Sequence, residues 1–150
     1  MMHLIDRLGE KGVEIAKAEL IFFDNPAFMT GALQDSIRYE LGDDAATIYA
    51  GEGLTTKYGS YAMFVEYGTG VVGDGTYPEK TDYDYDVNQH GDKGWFYPLQ
   101  IGSPNSKDGT IYVHTRGMAA RPFMYNTLRD LEEEVKEMGG KIIAEYIADH

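Results

Sequence analysis

RPFMYNTLRDLEEEVKEMGGKIIAEYIA, Arg121 to Ala148, carries the strongest periodicity in the chain. Met124, Leu128, Leu131, Val135, Met138, Ile142 and Tyr146 recur at spacings of four and three, which lays one apolar stripe along a helix. Arg121-Pro122 suits the opening, because the N–H that proline lacks would have no intrahelical partner there. The spacing predicts a helix to about Ala148, roughly 40 Å long at ~1.5 Å per residue, with Glu132, Glu133, Glu134 and Glu137 toward solvent. Gly139-Gly140 is a candidate kink. A stripe this long must be covered, and the sequence before it supplies the cover.

At the other end of the chain Leu4, Ile5, Leu8, Ile15, Ala18 and Phe22 form a second apolar stripe, predicting a helix from about Met2 to Phe23. Gly9 and Gly12 weaken it by roughly 1 kcal/mol each relative to alanine, so it depends on packing partners. Asn25-Pro26 stops it. Thr30 is placed to cap a helical turn from Ala32 to Ser36. Ile37, Tyr39 and Leu41 then alternate with Arg38 and Glu40, a strand that turns at Gly42-Asp43-Asp44 and returns through Thr47 to Ala50. Trp95 to Ile101 and Thr110 to His114 predict a second antiparallel pair. Between the pairs, Tyr61 to Tyr67 is a short buried element that fits neither the helical nor the strand period. The stretch from Gly68 to Gly94 is rich in Gly, Asp, Tyr and Asn, and is too long for a passive connection. The fold expected is α+β: a mainly antiparallel sheet packed by an N-terminal helix and a long C-terminal helix. It forms one domain over residues 1–150, with a loop insertion at about 68–94.

Composition bounds the function. The 150 residues suit one domain, and 43% hydrophobic with 13% aromatic residues is enough to fold it. Cysteine is absent, which rules out disulfides, thiolate zinc sites and thiol catalysis. No apolar run approaches the ~20 residues that cross a bilayer, and the first residues are punctuated by charge. The expectation is a protein made in the cytoplasm, with no membrane partner. A formal net charge of −12, from 25 acidic and 13 basic residues, argues against a phosphate-gripping surface, which needs clustered Lys and Arg.

The motifs that would carry chemistry fail one by one. Gly68-x-Gly70-x-x-Gly73 matches a dinucleotide fingerprint, but no helix pattern follows it. Asp82, Asp84, Asp86, Asn88 and Asp92 suggest a calcium loop, yet Val87 stands where glycine is required and Lys93 where the bidentate glutamate belongs. His3, His90, His114 and His150 are scattered. The expectation is a non-enzyme with no catalytic residues, no metal and no cofactor. Tyr77, Tyr83, Tyr85, Trp95, Phe96 and Tyr97 suit either an intersubunit surface or a carbohydrate platform, with core packing of Trp95 and Phe96 as the plain alternative. Glu66, inside an apolar block, and Arg121 suggest a fold-stabilising ion pair.

Three segments in order, TGALQDSI (Thr30 to Ile37), YAMFVEYGTG (Tyr61 to Gly70) and TRGMAARPFM (Thr115 to Met124), resemble the tail-completion or neck family of lambdoid long-tailed double-stranded DNA phages. The resemblance implies a helix at Tyr61 to Tyr67. It also implies a structural virion protein of the head–tail junction, from a phage or prophage. Such a subunit forms a ring homo-oligomer in the assembled particle, whether or not it is a monomer when free. Its partners are a head-closure or adaptor protein and a tail terminator or tail-tube protein, and DNA passes through without sequence-specific binding. Thr30, Gly31, Leu33, Glu66, Arg121, Pro122 and Phe123 are the structural motif positions. The subunit or partner interface is expected at Tyr67, Gly68, Thr69, Gly70, Tyr77, Tyr83, Tyr85 and Trp95. The rival readings are an aromatic-loop binding module for a glycan or peptide, and a metal-dependent hydrolase using the Asp82 to Asp92 cluster.

Overall fold

The computed structural model describes residues 2–21, 31–57, 59–100 and 110–148. Helix α1 (Met2–Ile21) is followed by the short α2 (Gly31–Asp35), the hairpin β1 (Arg38–Leu41) and β2 (Ala46–Tyr49), and the two-residue strands β3 (Thr55–Thr56) and β4 (Gly59–Ser60). Next come α3 (Tyr61–Tyr67), the single turn α4 (Gly70–Gly73), and strands β5 (Trp95–Gln100), β6 (Thr110–Thr115) and β7 (Gly117–Met118), before the long α5 (Phe123–Ala148) closes the chain. The fold is α+β. Asn25-Pro26, Thr30 and the turns between Gly102 and Gly109 lie outside the described residues. Tyr61–Tyr67 is helical, as the family resemblance implies and the residue pattern alone does not decide.

Among the described residues the antiparallel pairing falls into three separate two-stranded ladders, β1–β2, β3–β4 and β5–β6, rather than one continuous sheet. The helices provide what a wider sheet would otherwise supply. α1 packs along both β1 and β2 on one side and along α5 on another. Gly9 and Gly12, which weaken α1 as an isolated helix, are the places where the hairpin seats. A Cβ at Gly9 would overlap the Tyr39 ring, and one at Gly12 would overlap the Ile48 side chain. Tyr39 and Ile48 are paired across the ladder, so two glycines one turn apart accept one cross-strand pair. The Tyr39 hydroxyl then donates to Asp6 Oδ1 at 2.7 Å, and this bond is the main reason its pKa is held at about 12.

The core is a compact set of side chains from α1, α2, α3, α5 and the α2–β1 connection: Ala16, Leu20, Leu33, Ile37, Ala62, Val65 and Phe123. α5 presents a different face to it from the one its sequence stripe predicts. Phe123 and Thr127 are buried, and Leu131, Glu134 and Met138 continue that line half-buried. Leu128 and Val135 are 57% and 49% exposed. The two lines share Leu131 and Met138, and the buried one is turned by less than one residue's step of ~100° around the helix. Thr127 accounts for the turn: its Oγ1 donates to the Phe123 carbonyl at 2.6 Å, so a residue that reads as polar enters the core with its hydroxyl already satisfied. Glu134, expected in solvent, is correspondingly half-buried.

Candidate functional site

The three segments that carry the family resemblance meet around α3. Ser36, at the end of the first, donates its hydroxyl to the Leu33 carbonyl at 2.6 Å and accepts the Gly51 N–H at 2.7 Å. Gly51 in turn lies against Ala62 of α3. Leu33 is buried beside these residues, whereas Gly31 is exposed with open space around it.

The second and third segments cross each other directly. Thr69 bridges Met118 and Gly70 bridges Gly117, both antiparallel. The Met118 N–H donates to Thr69 Oγ1 at 3.2 Å, and the Gly70 N–H to the Tyr85 carbonyl at 2.6 Å. Gly68, with φ +84°, ends α3 in a conformation that side chains disfavour, and a Cβ there would come within 2.7 Å of both Met118 O and Ala120 N. The glycines that mimic a dinucleotide fingerprint therefore face the chain's own backbone between 116 and 120. They have no opening for a pyrophosphate.

Glu66 fastens this crossing to α5. Its carboxylate accepts the Met124 N–H at 2.9 Å and the Tyr125 N–H at 3.0 Å, and the Tyr77 hydroxyl at 3.4 Å. The first two are among the N–H groups that a helix start leaves without intrahelical partners, so Glu66 acts as an N-terminal cap delivered from another helix. Sequence reasoning gave Glu66 an ion pair with Arg121; its carboxylate instead holds the start of α5. The Arg121 N–H also reaches α3, donating to the Val65 carbonyl at 2.8 Å. Pro122 precedes the first helical residue, and Phe123 is wholly buried.

Burial pushes the Glu66 carboxyl above its ordinary value of 4.5, while the bonds from Met124, Tyr125 and Tyr77 pull the other way. A carboxyl with a raised folded value binds its proton more tightly in the folded state. Its contribution to stability is therefore fully present below 4.5 and declines as pH rises through the folded value. The stability of the parent minus that of Glu66→Gln should decline over that window in pH-dependent urea titrations. A difference that rises with pH would show that the N–H bonds outweigh burial.

The loop tyrosines assigned to an interface are half-buried and packed on one another. The Tyr67 and Tyr83 rings stack at 4.7 Å, Tyr77 lies 4.5 Å from Tyr67, and Tyr85 meets Tyr83 edge-on at 5.2 Å. Burial, ahead of neighbouring charge, pushes the Tyr83 hydroxyl up to about 12. His90 covers Trp95 at 4.8 Å in a stacked arrangement. These aromatic rings thus pack on one another and on His90. Thr76 pins the same loop, its Oγ1 donating to the Gly73 carbonyl at 2.6 Å and accepting the Ala120 N–H at 2.8 Å.

The acidic cluster builds turns. Asp84 Oδ1 accepts the Asp86 N–H at 2.9 Å, and the two Asp86 oxygens accept the His90 and Gly91 N–H groups at 2.7 and 2.9 Å. Among the described residues no three His, Cys, Asp or Glu side chains converge as metal ligands would.

Two surface features remain. A groove of about 490 Å³ runs between α3 and the base of the β5–β6 hairpin, walled by Tyr61, Phe64, Tyr85, Trp95, Tyr97 and Met118. On the outer face of the hairpin Phe96 and Tyr112 are each 66% exposed, on strands whose register sets Phe96 opposite His114 and Pro98 opposite Tyr112. Phe96, a core candidate from sequence, is thus a surface residue. No sequence signal separated it from Trp95, because strand alternation fixes the opposition of their faces but not which of them is covered.

Comparison with protein-family models, with curated proteins and with solved structures returns no match to this chain.

Proposed function

We propose that this chain is a structural subunit of the head–tail junction of a long-tailed phage or prophage, a neck or tail-completion protein. It assembles as a ring around the DNA channel, between a head-closure or adaptor protein and a tail terminator or tail-tube protein. The observation that carries the reading is the interlock of the three resembling segments. Residues far apart in sequence, Leu33, Glu66, Gly68 and Phe123, hold one body together around α3.

A connector needs a rigid body and protruding contact elements, and the hairpin with its exposed Phe96 and Tyr112 suits the second role. The intersubunit contact is accordingly moved from the loop tyrosines, which stack internally, to this outer face and the exposed edge of the loop. The net charge of −12 suits a channel wall past which DNA slides without displacing counterions.

The test is disruption of the gene in the phage or lysogen, followed by complementation. Without the protein, filled heads and finished tails are expected to accumulate unjoined. The parent gene should restore joining, and Phe96→Ser/Tyr112→Ser should give folded protein that does not. Joined, infectious particles in the absence of the protein would refute the reading.

A further inference from the structure

We propose that the outer face of α5, with the groove beside it, docks a basic amphipathic helix from another protein. The inference does not depend on the head–tail reading. α1 covers only part of the apolar arc of α5: Leu131 and Met138 are half-buried, while Leu128 and Val135 stand out at 57% and 49% exposed. Those two are seven residues apart, two helical turns and ~10.5 Å along one face. That spacing matches the apolar seam of a second helix laid alongside.

The face continues into a groove of about 530 Å³ between α3 and the start of α5, where Met63, 43% exposed, and Met124 stand beside Leu128. An apolar seam at least three side chains long is thus left open on one side of the molecule.

Charge decides what covers it. Glu79 and Glu132 line the groove and are exposed, and among the described residues neither carries a salt bridge. Glu132 lies on the line between Leu128 and Val135. Arg129 lines the same groove, so its rim carries two exposed carboxylates against one guanidinium and stays acidic on balance, while Lys136 is held by Glu133 at 2.7 Å. A second copy of this chain would bring the same carboxylates face to face, on a chain already at −12. Leucine-like side chains flanked by Lys or Arg satisfy both the seam and the rim.

The test is a charge exchange on the full chain, read by fluorescence anisotropy. The probe is a labelled helical peptide with leucine at helical spacing and lysine on its flanks; a companion peptide carries glutamate for every lysine. The parent protein is expected to bind the lysine peptide and not its companion. Leu128→Ser and Val135→Ser, both at exposed positions, should each weaken that binding about tenfold or more. Glu79→Lys/Glu132→Lys should switch the preference to the glutamate peptide. Asp43→Lys/Asp44→Lys makes the same change of charge in the exposed β1–β2 turn and should leave affinity within about twofold.

Circular dichroism on each variant separates lost binding from lost fold. Three results would each overturn the proposal: neither peptide binds; the turn reversal weakens binding as much as the groove reversal; or the parent alone self-associates in sedimentation and Leu128→Ser abolishes it. The last would make a second copy the occupant.

Discussion

Gly68→Ala should destabilise the protein by about 2–6 kcal/mol, from ~1–3 for an alanine held at positive φ and ~1–3 for overpacking. The added methyl would meet Met118 O and Ala120 N at 2.7 Å, and both belong to backbone that has no rotamer to escape into. Gly53→Ala separates the two contributions. That residue also has positive φ, +75°, but nothing lies within 4 Å of its would-be Cβ. It should show the conformational part alone, ~1–3 kcal/mol. Against a typical total of about 5–15 kcal/mol, Gly68→Ala removes a large share, and urea midpoints for the two variants should differ clearly. Equal midpoints would mean that the strands around Gly68 can part without cost.

Phe123→Ala should cost about 3–5 kcal/mol, the range for emptying a buried aromatic site, since Phe123 is fully enclosed at the start of α5. Leu128→Ala should change stability by no more than ~0.5 kcal/mol, because its side chain is 57% exposed and alanine is the better helix former. Denaturant titration of the two variants reads out which face of α5 holds the core. A large loss at Leu128 with a small one at Phe123 would restore the face that the sequence stripe predicts.

The existence of both long helices and the end of α5 were legible in the sequence, because an apolar period near 3.6 sustained over five or more turns has no other local solution. The buried face of α5 was not. Periodicity counts apolar residues, and it passed over Thr127, whose hydroxyl is satisfied inside its own helix, while counting Leu128 and Val135, which point outward.

Gly9 and Gly12 were legible as costs to α1 but not as seats for Tyr39 and Ile48, because a docking depression depends on a partner some thirty residues away. The same limit applies to Glu66. Reasoning from side-chain charge finds a cation for a buried carboxylate and overlooks backbone N–H groups, which sequence shows only once a helix start is aimed at them. The tyrosines were legible as an unusual cluster. That they stack on each other, and leave Phe96 and Tyr112 as the outward aromatics, follows from tertiary placement alone.

Trp95 pairs with Thr115, so the β5–β6 hairpin leaves and re-enters the body through a single doorway. Whatever is threaded between those points starts and finishes at adjacent positions, and lengthening a flexible loop costs only about 0.6 kcal/mol per doubling. The β5–β6 hairpin is therefore an exchangeable cassette. An engineer could use the same doorway, with Trp95 and Thr115 as paired splice points, to mount a foreign hairpin on an unchanged scaffold.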